Sequence, residues 1–408
     1  MALERLKRAI ILASCVGALS VLLSCGGGNS NSSTPQVSGI KKRAFVTNNF
    51  ASQIEIINAA NDTVNTTFVT NTSGTTTATP VNLINAGTNP AQMVLTPDKK
   101  LTLVFDQGAT VISVLTNATE IVTSQIPLPA FTESFAAGTD NSSVYVAVPN
   151  APISGQPSGA VEILNATAGT LTNTIAVPGA RRVVLSHNGN KLLAFADGVD
   201  QMFVIDTAAK TATTISGFDR PVYGVFSSDD SKAYILNCGA ECGGTAAKVT
   251  VLDMSTNTPG ATVAVTAARV GLLDSSGNLY VAGTTSTGGK LDVLNAGSLA
   301  ISKSAVAITD GTQTLMALGS NSKLFIGSRG CSSAVQGCLS IYDTGAGAVT
   351  ISAPGAGDVT GMDPIAGRNV VYVVEGGELV IYDTTTNKPQ TTQIDIVGKA
   401  FDVKLIDP

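Results

Sequence analysis

One histidine, His187, serves the whole chain of 408 residues, and charged side chains make up only 13% of it. A lone histidine leaves no second one for a copper or non-haem iron centre of the usual kind, and no Ser-His-Asp relay is evident. The 24 Lys and Arg stand against 29 Asp and Glu, for a formal net charge of −5, and the basic residues form no cluster. That distribution argues against nucleic acid, whose phosphates have to be neutralised by several grouped cations. No glycine-rich phosphate loop follows a strand and opens a helix. The apolar run near the start, Ala9 to Ser24, is too short for an ordinary membrane span. In place of charge the chain carries Thr, Ser, Asn and Gly, which suit exposed strands and tight turns rather than helices.

What is abundant is repetition. Eight times an alternating apolar strand runs into a polar turn: IEIINAAND (54–62), VISVLTNAT (111–119), VEILNATAG (161–169), MFVIDTAAK (202–210), VTVLDMSTN (249–257), LDVLNAGSL (291–299), LSIYDTGAG (339–347) and LVIYDTTTN (379–387). The polar residues that close these strands are Asn58, Thr116, Asn165, Asp206, Asp253, Asn295, Asp343 and Asp383. Their spacing, roughly 40 to 58 residues, is that of a four-stranded propeller blade. Each phrase is preceded by a second strand such as KLLAFAD (191–197), entered through a polar turn such as SHNGNK (186–191). Upstream lies a smaller apolar strand, for instance RRVVLS (181–186), and a Thr-rich fourth strand completes the meander.

Blades cannot bury their faces alone, so residues 43–408 are expected to form one cooperative domain. The stretch 43–89 supplies three strands without an innermost one, and Lys399 to Asp407 looks like an innermost strand with nothing after it. Joining the two leaves no free sheet edge. The expectation is therefore an all-β chain forming a single β-propeller of eight blades, closed by pairing of the N-terminal strands with the C-terminal strand. Seven blades is the alternative, because segment 71–89 is irregular.

FVTNN (45–49) with IEIINAANDTV (54–64), and VIDTAAKT (204–211), resemble the YVTN-type β-propeller repeat of bacterial and archaeal surface proteins. The resemblance implies this fold and an extracytoplasmic location, and no particular chemistry. Met1 to Arg8 carries three basic residues ahead of the apolar run, in the form of a secretory signal. Its end, Leu22-Leu23-Ser24-Cys25-Gly26, resembles a bacterial lipobox. That implies a signal peptide over 1–24, a lipid on Cys25 and a flexible tether over 25–42, with membrane attachment in the bacterial cell envelope, periplasmic or surface-exposed. Leu12-Ala13-Ser14-Cys15 also fits the pattern, but cleavage there would leave an apolar segment, Val16 to Leu23, at the new terminus, which favours Cys25.

Two cysteine pairs remain, Cys238 with Cys242 and Cys331 with Cys338. In an exported chain an even count at short spacing reads as two local disulfides. A metal site would need more soft ligands or histidines than the chain has, and no cofactor is expected. The loops between second and third strands are long in three blades: 149–160, 237–248 and 328–338. They share a face with the crossovers between blades, which marks that face for binding. Aligning the blades places Gln92, Glu133, Arg181, Arg182, Tyr223, Arg269 and Gln313 at the channel mouth there, with three arginines available for an anionic group. His187 and the Asp229-Asp230 pair fall in hairpin turns on the opposite face. The leading expectation is a lipid-anchored, non-enzymatic binding or scaffold module for a protein or glycan. Alternatives are a lactonase-like hydrolase built at the channel mouth, or a structural surface-layer component.

Overall fold

The polar residue that ends each repeat builds a turn. Asp253 accepts the amides of Ser255 and Thr256 at 2.9 and 3.0 Å, and Asp206 those of Ala208 and Ala209 at 3.1 and 2.8 Å. Asn58, Asn165 and Asn295 accept the amides of Ala60, Ala168 and Ser298 in the same way. A short polar side chain at this place satisfies donors that a tight turn would otherwise strand. Four residues after it the backbone is left-handed in every copy: Asp62, Glu120, Gly169, Lys210, Asn257, Leu299, Gly347 and Asn387 have φ between 55° and 70°. The repeat is thus a hairpin turn joining the third and fourth strands of a blade.

The computed structural model describes residues 37–64, 66–70, 76–80, 83–332, 337–351, 357–391 and 394–408. The leader, Cys25 and most of the stretch read as a tether lie outside them. The strands form eight antiparallel blades. The first, innermost strands are Pro90–Leu95, Ser134–Ala137, Ala180–Leu185, Pro221–Phe226, Val270–Leu273, Thr312–Gly319, Val359–Pro364 and Ala400–Leu405. Each lies beside the innermost strands of its two neighbours, around a ring. Numbering blades by their copy of the repeat, blade one is the composite: Ala400–Leu405 pairs with Arg43–Asn48, with Ala44 opposite Leu405 and Val46 opposite Val403.

Blade one also explains the irregular stretch in the sequence. Its outermost strand is split, with Thr63–Val64 pairing one end of Gln53–Asn58 and Ile84–Asn85 the other. A separate hairpin, Thr66–Thr70 with Thr76–Pro80, is inserted between the halves. Blade count is unaffected.

The core lies between blades rather than within any of them. Eight apolar clusters are present among the described residues, and each joins two neighbouring blades. Between blades four and five, for example, Leu193 and Phe195 pack with Phe226, Ala233 and Ile235. At the closing interface, Val46, Ile57 and Val403 of blade one meet Tyr372, Val374 and Ile381 of blade eight. Second strands such as Lys191–Ala196 are buried from their second residue onward because a neighbour covers each face. Every such Val, Leu, Ile or Phe contributes about 1.5–3 kcal/mol relative to exposure, and none of it is available to an isolated blade.

Val37–Lys42, the described end of the stretch read as a tether, is held on the turn face, where first meets second strand and third meets fourth. The Ser38 amide donates to Glu120 at 2.6 Å, and the Lys42 ammonium donates to the carbonyl of Ala366. The opposite face carries the long loops and the crossovers between blades, and buried polar groups fix it. Glu55, Ser113, Glu162, Thr250, Asp292 and Ser340 hold one equivalent position in the third strands of six blades, and all are buried. Asp292 accepts the amide and hydroxyl of Thr266 in one crossover, and Ser340 accepts the amide of Thr309 at 2.9 Å in the next. Asn48 links Glu55, at 2.9 Å, to the carbonyl of Val397 at 3.0 Å. Burial raises the carboxyl groups of Glu55 and Asp106 to about 7, against the opposing hydrogen bonds of Asn48 and Ser113.

Two outcomes follow from this geometry. Ala305 is exposed, in the outer strand of blade six, at φ 54°, a conformation that costs a non-glycine residue about 1–2 kcal/mol. Ala305→Gly should raise stability by about 0.5–1 kcal/mol once glycine's extra chain entropy is subtracted, measured as a higher urea midpoint; an unchanged or lower midpoint contradicts it. Asp106 has a folded-state value above its unfolded one, so its favourable contribution is complete in acid and is lost as pH rises through about 7. Asp106→Asn, which cannot ionise, should therefore gain on the parent by on the order of 2 kcal/mol between pH 5 and pH 8. A difference in melting temperature that does not move with pH contradicts this.

Candidate functional site

The loop face opens into a channel-mouth cavity of about 610 Å³. Gln92, Glu133, Arg181, Arg182, Tyr223 and Arg269 all line it, six of the seven residues that blade alignment brings to this place. Gln313 is placed elsewhere. It is fully buried, donating to the Thr309 carbonyl at 2.9 Å and accepting from the Thr284 hydroxyl at 2.9 Å. The reason is a bulge: Gln313 pairs with Ser328 and Leu315 with Gly327, so Thr314 is the extra residue and lines the cavity instead. The same bulge recurs between Ala180 and Arg182 and between Pro221 and Tyr223. A bulge breaks the alternation of a strand and re-aims its side chains, which is how the consecutive residues Arg181 and Arg182 both reach the mouth.

The arginines there are not equivalent. Arg181 is paired twice, with Glu133 at 3.0 Å and with Asp197 at 2.7 Å. Arg182 lies over the ring of Tyr223, 5.2 Å from its centroid. Arg269 rests on a disulfide, its Nη1 3.0 Å from Cys242 Sγ. Arg329, at the end of the second strand of blade seven, lies over Phe401 at 5.6 Å. Among the described residues Arg182, Arg269 and Arg329 have no ion pair. Burial lowers the pKa of Arg182, and the nearby charge of Arg269 lowers it further. Arg329 Nε and the hydroxyls of Thr314 and Thr360, all on residues lining the cavity, are buried without a hydrogen-bond partner among the described residues.

Three guanidinium groups are thus supported by uncharged neighbours; Arg269 gives one donor to the disulfide, and none of the three gives any to a carboxylate among the described residues. The lining has five cations, Arg181, Arg182, Arg269, Arg329 and Lys404, against three carboxylates, Glu133, Asp197 and Asp402. The chain as a whole has a net charge of −5, so this basin opposes the sign of the protein and would focus anions into it.

Both disulfides expected from cysteine spacing are formed. Cys238–Cys242 closes the short helical turn Gly239–Cys242 in the long loop of blade five. Asp219 accepts the amides of Thr245 and Ala246 at 3.0 Å each, and Glu241 accepts the amide of Thr284 in blade six at 2.9 Å. The loop is thereby drawn over blade six, which sets the sulfurs beside Arg269. Cys331–Cys338 closes the loop that follows Arg329. Blade alignment misses Arg329, Phe131 and Phe401, which also line the cavity; a loop-end arginine in KLFIGSR was the available signal for the first.

On the turn face His187 joins two hairpins, with its Nδ1 2.7 Å and its amide 3.0 Å from Asp230 Oδ1. Asp229 accepts from Ser227 and Ser231 within its own turn, which lowers it to about 2. Among the described residues no group of three or more His, Cys, Asp or Glu is arranged to hold a metal ion.

No family model matches the chain, and no curated protein matches it. Solved structures share its shape. Dihydro-heme d1 dehydrogenase NirN, in complex with DHE, superposes with a TM-score of 0.67 at 13% identity, over 90% of this chain and 75% of that one. The β-propeller domain of Cps50 (Swd1) from Myceliophteria thermophila gives 0.51 at 9% identity, over 69% of this chain and 92% of that one. The periplasmic gluconolactonase PpgL of Pseudomonas aeruginosa gives 0.48 at 17% identity, over 89% and 98%. At these identities the likeness is one of fold.

Proposed function

We propose that this chain is a non-enzymatic binding module of the bacterial cell envelope, whose ligand places an anionic group in the channel mouth. The observation that carries this reading is the set of guanidinium groups on Arg182, Arg269 and Arg329, which face one cavity without a carboxylate partner among the described residues. Charge-assisted hydrogen bonds to such groups are worth about 1.5–3 kcal/mol each. A lactonase-like hydrolase draws less support. Two of the mouth's three carboxylates, Glu133 and Asp197, are committed to Arg181, and the third, Asp402, takes the ammonium of Lys404 at 2.9 Å.

The location rests on the leader reading and on the resemblance to YVTN-type repeats, with lipid on Cys25 as the lipobox resemblance implies. Two disulfides fit an oxidising compartment. Among the described residues no helix is long and apolar enough to cross a membrane.

Calorimetric titration with succinate at low ionic strength tests the site. Arg182→Ala and Arg269→Ala should each weaken binding at least about tenfold. Glu133→Gln, which removes one of the two carboxylates on Arg181 and leaves it paired with Asp197 alone, should strengthen it. Added salt should weaken binding throughout. Affinities unchanged by all three substitutions contradict the proposal.

A further inference from the structure

The channel has a second cavity, of about 360 Å³, at its turn-face end. Val184, Leu185, Val225, Leu272, Leu273 and Met316 of blades four to seven build its apolar wall, and His187, Ser228, Asp274 and Ser275 add polar groups toward the turns. Tyr223 lines this cavity and the basic mouth alike, so the two adjoin at its ring.

The level at which they meet is also largely apolar. Strand pairing puts Val94, Ala136, Val184, Val225, Leu272 and Ala317 at one equivalent position in the innermost strands of blades two to seven. Only Asp363 of blade eight and Lys404 of blade one are charged at that position, and they stand in neighbouring blades. A continuous greasy wall therefore runs down one side of the channel from the arginines to the far cavity.

We propose that the ligand is an amphiphilic carboxylate, its head held by Arg182 and Arg269 and its unbranched apolar tail laid along blades four to seven past Tyr223. This rests on the anion-binding reading of the mouth and adds the tail. A small polar dianion satisfies the arginines but leaves the lower cavity unused. An uncharged apolar molecule fills the lower cavity but leaves the guanidinium donors unpartnered. A carboxylate with a tail meets both demands, and a six-residue innermost strand, about 20 Å long, gives it room.

The experiment titrates the full chain with a homologous series, acetate, hexanoate and dodecanoate, each below its aggregation threshold, with succinate as the tail-less control. Each methylene taken out of water is worth about fourfold in affinity. Dodecanoate should therefore bind at least about a hundredfold more tightly than acetate. Arg182→Ala should weaken every member of the series, whereas Leu272→Asn should weaken dodecanoate about tenfold and leave succinate unchanged. The chain-length series uses the parent protein, so it stands even where the Leu272 variant fails to fold. Succinate binding with no gain along the series would overturn the tail and keep the anion site. Failure of every anion would overturn the anion site itself. Dodecanoate binding indifferent to Arg182→Ala would show mere partitioning into an apolar cavity and overturn the proposed pose.

Discussion

Every blade of this molecule has two apolar faces and can cover neither by itself. Its core is eight separate interfaces, each belonging to two blades. This explains why second strands are buried on both faces, and why the chain spends its first and last strands on one composite blade. The pairing of Arg43–Asn48 with Ala400–Leu405 does more than add a ladder of hydrogen bonds. It brings Val46 and Val403 against Tyr372 and Ile381, completing the last uncovered interface. Stability and closure are one property in such a ring, since a gap exposes two faces at once.

The fold was legible because its grammar is local. In all copies but that of Thr116, the side chain closing the third strand accepts from amides two or three positions on, so the turn recurs in sequence wherever it recurs in space. Even the split outer strand of blade one announced itself as an irregular stretch. The site was legible only in part, because its character depends on partners far apart in the chain. Arg181 and Arg182 are neighbours in sequence, yet one is neutralised by Glu133 and Asp197 and the other lies on Tyr223. Gln313 falls out of the mouth through a bulge that shifts the frame by one residue, and no strand periodicity marks that shift. The buried ring of Glu55, Asp292 and their counterparts looks in sequence like occasional polar interruptions of apolar strands. Its purpose appears only where those side chains meet the crossovers of the loop face.

The mouth combines two devices that stand apart in most proteins. Cations are usually kept in place by anions, which blunts their attraction for anything else. Here an aromatic ring, a disulfide and a second aromatic ring do the holding. Side chains held in this way have less freedom to lose when a ligand binds. The loop of blade five is central to this, since Asp219, Glu241 and the Cys238–Cys242 bridge together fix the surface on which Arg269 rests.

Ser38 and Lys42 fasten the start of the described chain to the turn face, through Glu120 of blade two and the Ala366 carbonyl of blade eight. These two contacts set Val37–Lys42 on the turn face, opposite the mouth and its arginines. The two ends of the bore therefore differ in company: one shares its face with this segment and the hairpins, the other with the long loops and the guanidinium groups.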